Sequence, residues 1–207
     1  MILSDNKRIS TILLDSNLKQ NCELEPNSDY VIEIDNTVSN KNLSISIPKN
    51  SHLQILNCSE SNINLDCEIN LIGENAKFEY ISKNRYSNLT VRNNINVFHK
   101  ASNTSSYVNI KGIIDEDSQI SGQVVLNINP EANNCIAKQK IELINLSSLS
   151  KIDFTPILEI LNDSCISEHS FSIINLSPQE LFYCMSRGIN QNLAKKLILN
   201  GFLSNRN

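Results

Sequence analysis

Tryptophan is absent from this chain, and glycine and proline occur only five times each in 207 residues. Hairpin-built β-sandwiches turn on Asn-Gly and Asp-Gly pairs. Here the sole Asn-Gly pair, Asn200-Gly201, is at the tail. No run approaches the ~20 apolar residues that span a bilayer. The N-terminus MILSDNKRIS has neither a long apolar core nor a small-residue cleavage site, so a signal peptide is not expected. None of the six cysteines (Cys22, Cys58, Cys67, Cys135, Cys165 and Cys184) forms a CxxC pair, which argues against a conventional zinc site. Without a secretion signal they read as reduced thiols, and the expected compartment is the cytoplasm. With 18 basic against 22 acidic residues the net charge is −4 and carries no footprint for nucleic acid. No Gly-rich phosphate loop occurs, so the chain is not expected to hydrolyse ATP itself. Neither a membrane nor a nucleic acid is an expected partner.

What is present is persistent alternation. Tyr30, Ile32 and Ile34 share one face, as do Leu43, Ile45 and Ile47, with Glu33, Ser44 and Ser46 opposite. The longest case is Ile63, Leu65, Cys67, Ile69 and Leu71, interleaved with Asn64, Asp66, Glu68 and Asn70. A period of two over that length predicts half-buried strands. Further strands are expected at Phe78-Tyr80, Ile95-Val97, Val108-Ile110, Val124-Ile128, Ile141-Leu143 and Ile157-Ile160. Asn and Ser stand where corners would fall: Asn36, Ser39 to Asn42, Asn57, Asn93-Asn94 and Asn133-Asn134. Asparagine tolerates the left-handed conformation and bonds its own backbone, so it can turn a corner without glycine. The expected core over residues 1–175 is therefore a right-handed parallel β-helix, a stacked-strand solenoid. Cys67 and, by the spacing from Leu56, Cys58 are expected in that core. His52 is expected near a corner and exposed to solvent, His99 in a structural role, and Asp115-Glu116-Asp117 in a solvated turn.

Over residues 176–207 the period becomes helical. Ser177-Pro178-Gln179-Glu180 reads as a capping box with proline at the first helical position, and Gly188 stops that helix after Arg187. A second helix is expected from about Asn190 to Asn200-Gly201, burying Leu193, Ala194, Leu197 and Ile198. The pair forms a helical hairpin. Phe182, Tyr183, Met185, Ile189 and Leu197 exceed what so small an element buries against itself, and such residues with arginine are common interface anchors.

The wording of this hairpin resembles the closing segment of the SufB/SufD family, scaffold proteins of SUF iron–sulfur cluster assembly. Leu181-Phe182-Tyr183, Arg187-Gly188-Ile189, Ala194 and Gly201-Phe202 carry the match. Pro156-Ile157-Leu158-Glu159-Ile160 is similar to the family's P-x-L-E-I, Glu168-His169 to its E-H-E, and the segment from His99 to Ile113 to its H-K-A-P-N-T-S-S and K-x-I. The resemblance implies a β-helix with C-terminal helices, and docking of a SufC-type ABC ATPase through Leu181, Phe182, Tyr183, Arg187, Gly188 and Ile189. It also implies a homodimer, or a heterodimer with another family member, that builds or hands on a transient iron–sulfur cluster, none being intrinsic to the purified chain. Departures accompany it. The N-terminal helical domain of typical members is not expected, the cysteine of SufB-type members is missing near Gln139-Lys140, and Ser167 stands where SufD-type members have one.

Iron–sulfur clusters favour thiolates, with histidine or carboxylate as substitutes. Cys165, Glu168 and His169 form the compact candidate set. In a strand Cys165 and His169 share a face while Glu168 takes the other, so a second chain is needed to complete a site. The alternative is a degenerate structural member that dimerises but holds no cluster. A carbohydrate-binding or -cleaving β-helix is a third reading, against which no exposed strand face collects carboxylates.

Overall fold

A computed structural model describes residues 9–13, 20–34, 40–58 and 64–204. Ile63, Asn36 and Ser39 lie outside the described residues. The strands are β1 (Ile9–Leu13), β2 (Gln20–Glu23), β3 (Asp29–Glu33), β4 (Asn40–Ile47), β5 (His52–Asn57), β6 (Asn64–Leu71), β7 (Lys77–Ser87), β8 (Thr90–His99), β9 (Ser105–Asp115), β10 (Gln119–Ile128), β11 (Ile136–Asn145), β12 (Lys151–Ile160) and β13 (Ile166–Asn175). They are followed by helices α1 (Pro178–Ser186) and α2 (Gln191–Ser204).

The odd strands form one parallel sheet in chain order, the even strands another. Each pair of consecutive strands is thus one coil of a parallel β-solenoid, as the alternation predicts. Asp29 is in register with His52, His52 with Lys77, Lys77 with Ser105, Ser105 with Ile136 and Ile136 with Ile166. The coil therefore lengthens from about 23 to about 30 residues, with solenoid strands stacked ~4.8 Å apart. No fixed period survives in the sequence for that reason. The inward phase is sealed: Leu53, Ile55, Leu65, Ile69, Tyr80, Ile95 and Val124 are fully buried.

The corners turn on asparagine. Asn27, Asn50, Asn75, Asn103 and Asn134 hold φ between 55° and 62°, one above another at the same corner. Their amides form a ladder, Asn50 Nδ2 donating to Asn27 Oδ1 at 2.9 Å and Asn75 Nδ2 to Asn50 Oδ1 at 3.0 Å. At the other corner Asn88 and Glu116 adopt φ 54°. The mechanism is as expected, but the positions differ. Asn40, Asn42, Asn57, Asn93 and Asn94 lie within strands, and of the proposed corners among the described residues only Asn133-Asn134 is one. Replacing Asn50 by valine is expected to cost roughly 2–3 kcal/mol, because a branched side chain resists φ > 0 and two amide bonds vanish. Asn50→Gly keeps the conformation and should cost clearly less. Urea unfolding of both variants tests this, and equal losses would contradict it.

Cys58 is corrected. The inward residues of β5 are Leu53, Ile55 and Asn57, so Leu56 and Cys58 share the outward phase and Cys58 is exposed. Asn57 faces inward because its Nδ2 donates to Tyr80 Oη at 2.8 Å, which satisfies both groups in the core. His52 does stand near a corner, opening β5 just after Asn50, but it is half-buried rather than exposed. Cys67 is in the core as expected, and burial pushes its thiol up to about 12.

Candidate functional site

The wording around His99 resolves into a structural knot. His99 ends β8, and the following turn returns Thr104 and Ser106 beneath its ring. Nδ1 is 2.8 Å from Thr104 Oγ1 and Nε2 is 2.9 Å from Ser106 Oγ, with the imidazole fully buried. Burial lowers its pKa from the ordinary 6.5 to about 4. Between those values the unfolded chain binds a proton that the folded chain refuses. Stability is therefore complete above pH 6.5 and falls as pH drops towards 4, by an amount on the order of 3 kcal/mol. Urea unfolding between pH 4 and 7 should show this slope, and His99→Gln should flatten it.

The hairpin is anchored to the outer face of the odd sheet. Ser177 caps α1, its Oγ accepting from Glu180 N at 3.3 Å. Gly188, at φ 83°, ends it, and Ile189 N returns to Cys184 O at 3.2 Å in the manner of a left-handed helix stop. In α2, Leu199 packs with Ile113 of β9 and Ile144 of β11, joined by Phe202 and Leu203. Lys111 of β9 is buried among them: its Nζ donates to Phe202 O at 3.3 Å, sits 5.3 Å from the Phe202 ring centre and lies 3.6 Å from Glu142 Oε2. Lys195 reaches back to Asp115 at 3.9 Å. Two sequence words ninety residues apart, K-x-I at Lys111 to Ile113 and Gly201-Phe202, are thus the two sides of one contact.

Two expectations for α2 are corrected. It runs on through Gly201 to Ser204, and Leu193 and Leu197 are exposed, whereas Ala194 and Leu199 are buried. The helix is apolar on several sides, so periodicity alone does not choose the docked one. No residue of α1 is buried. Phe182 is 74% exposed and Tyr183 61%, while the Arg187 guanidinium covers the Tyr183 ring at 5.4 Å. Gly188 is exposed at the turn, Ile189 is half-buried beside it, and Leu181 is half-buried in the first turn of α1. Of the six residues singled out from the sequence, Phe182, Tyr183, Arg187 and Gly188 are exposed, whereas Leu181 lines a pocket against Asn145, Leu146 and Asn175 of the solenoid.

The other candidate set is at the far end of the solenoid. β12 and β13 each pair with a strand on one side only. Pro156 lies in β12, a position that an edge strand tolerates because proline lacks a backbone donor. In β13 the inward row Ser167, His169, Phe171, Ile173 continues the buried row Ala137, Gln139, Ile141, Leu143 of β11. Among the described residues no strand lies beyond β12 in the even sheet to cover it, and Phe171 and Ile173 remain 37% and 45% exposed. Sequence reasoning passed over these two residues, since alternation gives the phase of a strand and not which coil is last.

His169 is in register with Gln139, the place where the family resemblance expects a cysteine. Gln139 is buried; its Nε2 donates to Ile157 O at 3.2 Å, and its Oε1 has no partner. Glu168 points to the outer face and pairs with Lys138 at 3.0 Å. Cys165 sits at the corner before β13, half-buried, its Sγ accepting from Cys135 N at 3.3 Å. Within one chain the three candidates do not converge. Among the described residues no three His, Cys, Asp or Glu side chains come together as a metal site.

The described residues thus form a parallel β-solenoid with an uncovered last coil and a helical hairpin on its flank. The family model for the SUF system FeS cluster assembly, SufBD core domain, matches residues 11–202, and the chain belongs to that family. An iron-sulfur cluster assembly SufBD family protein of Staphylococcus epidermidis is 30% identical over 134 residues, 64% of this chain and 29% of that protein. A family member of Staphylococcus saprophyticus is 25% identical over 190 residues, 77% of this chain and 41% of that protein. The iron-sulfur cluster assembly protein SufB of Bacillus subtilis is 30% identical over 107 residues, 52% of this chain and 23% of that protein. The chain spans less than half the length of these curated relatives. No helix among the described residues is long and apolar enough to cross a membrane.

Proposed function

We propose that this chain is a non-catalytic scaffold of SUF-type iron–sulfur cluster assembly, working in the cytoplasm with a separate SufC-type ABC ATPase. The hairpin surface of Leu181, Phe182, Tyr183, Arg187, Gly188 and Ile189 docks the ATPase. The last coil pairs with the last coil of a second β-solenoid, either another copy or a different family member. The cluster is cargo held between the two chains, with His169 and, from the adjacent corner, Cys165 as donors. Glu168 contributes from the outer face once its pair with Lys138 opens.

The observation that carries this reading is the uncovered coil end. Two strands end their sheets with no further strand paired beyond them among the described residues, and exposed apolar side chains flank them. Proteins seldom leave such edges free. The hairpin is mechanically tied to it: α2 grips β9 and β11 through Lys111, Ile113 and Ile144, and β11 carries β13 with His169. A pull on the hairpin by ATPase closure shifts the strands that frame the cargo.

Charging the edge tests the pairing half. Phe171→Asp with Ile173→Asp should convert the dimer to a monomer, a loss of at least about 100-fold in association. Sedimentation of the wild type as a monomer at all concentrations would sink it. A second reading, in which the dimer forms but holds no cluster, is favoured by the residues that stand where the family resemblance expects cysteines, Gln139 and Ser167. Anaerobic incubation with iron and sulfide separates the two: a colourless dimer supports the second reading, and a coloured dimer that bleaches in His169→Ala supports the first.

A further inference from the structure

The corner between the last two coils brings together two thiols that the scaffold reading does not pair. Cys135 immediately precedes β11 and Cys165 immediately precedes β13, and Ile136 and Ile166 are in register, so the cysteines stack in adjacent coils. Such stacking separates α-carbons by ~4.8 Å, inside the span of about 4.4–6.8 Å that a disulfide bridges. The side chains also point to a common place. Cys165 Sγ is 3.2 Å from Ala132 O and Cys135 Sγ is 3.6 Å from the same oxygen, while Cys135 N donates to Cys165 Sγ at 3.3 Å. Cys135 is buried, and Thr104 Oγ1 lies 3.2 Å from its sulfur; Cys165 is half-buried and reachable from solvent. Cys67, by contrast, is sealed in the core, and Cys58 is exposed at the end of β5, away from this corner.

We propose that Cys135 and Cys165 form a reversible disulfide that bolts the last coil to the one before it and, where the scaffold reading holds, withdraws Cys165 from the cargo. The oxidant is a low-molecular-weight disulfide of the glutathione class. The Cys165 thiolate attacks it, forming a mixed disulfide and releasing one thiolate. The Cys135 sulfur, losing its proton to water, then attacks Cys165 Sγ, forming the internal bond and releasing the second thiolate. Two electrons pass from the cysteine pair to the oxidant, which leaves as two thiols. The order follows from access, because only Cys165 meets solvent.

The test uses the full chain in a Cys58→Ser, Cys184→Ser background, which removes the exposed thiol and leaves one cysteine in each relevant tryptic peptide. After incubation in glutathione disulfide, alkylation and digestion, peptide 112–138 is expected linked to peptide 152–187, with two fewer free thiols per chain. Linkage should be at least about tenfold faster in the folded chain than in urea, because the fold holds the sulfurs together. Reduction should restore both thiols, and Cys165→Ser should leave Cys135 unlinked. A glutathione adduct that persists on Cys165, or linkage no faster than in urea, would overturn the proposal. These readouts are independent of cluster or ATPase binding, so the proposal and the scaffold reading fail separately.

Discussion

Replacing Phe182, Tyr183 and Arg187 together by alanine is expected to abolish capture of a SufC-type ATPase by the full chain while leaving its unfolding profile unchanged. None of these side chains contributes to the solenoid: α1 has no buried residue, and Phe182 and Tyr183 are mostly in solvent. Their removal therefore costs little folding energy. At a partner interface the reverse holds, because aromatic and arginine anchors each contribute about 2 kcal/mol or more when desolvated. Three such losses weaken binding by at least about 1,000-fold. The stacked Arg187 and Tyr183 act as a unit, so their effects will not add simply. Leu199→Ala is the contrast: it loosens the anchor of α2 on Ile113 and Ile144 and should lower binding and stability together. Isothermal titration of the wild type and the triple variant decides, and unchanged affinity in the triple variant would sink the docking surface.

The largest effect on folding is expected at Gly122. It sits in mid-strand of β10, in register with Asn93 of β8 and Phe154 of β12, at φ 146°. A Cβ there would lie 1.9 Å from Asn93 O and 2.7 Å from Asn93 C, both backbone atoms that cannot swing away. Gly122→Ala must push two coils apart. We expect a cost of about 3–5 kcal/mol, a large part of the ~5–15 kcal/mol that holds an ordinary domain together. Gly188→Ala provides the control. Its φ is also positive, at 83°, but nothing lies within 4 Å of the added carbon, so roughly 1 kcal/mol is expected. Urea midpoints of the two variants should differ widely, and similar midpoints would mean that the β8–β10 contact yields easily.

The solenoid was legible because its inward rows are mostly β-branched or leucine, and a period of two needs no neighbours to be seen. It became illegible where the interior is polar. The strand signal at Phe78-Tyr80 belongs to a strand that continues to Ser87, but its next inward residues are Ser82 and Asn84. Asn84 Nδ2 bonds Ser82 Oγ at 3.0 Å and Tyr86 Oη at 3.1 Å, so these side chains are satisfied against one another and look exposed in a sequence. The same effect displaced Cys58, whose phase is set by inward Asn57. In the hairpin the caps at Ser177 and Gly188 were readable because they are local chemistry. The docked side of α2 was not, since it depends on Lys111 and Ile144 far upstream. Of the cluster candidates, the opposition of Glu168 to His169 followed from strand geometry. The stacking of His169 over Gln139 required the register, which no local pattern encodes.

The mass of the assembled complex tests the central claim most directly. Light scattering on the wild-type chain mixed with a SufC-type ATPase should give two scaffold chains and two ATPase chains. The Phe171→Asp, Ile173→Asp variant should give one of each, and the hairpin triple variant a scaffold dimer with no ATPase. A wild-type chain that stays monomeric and leaves the ATPase unbound would contradict the account.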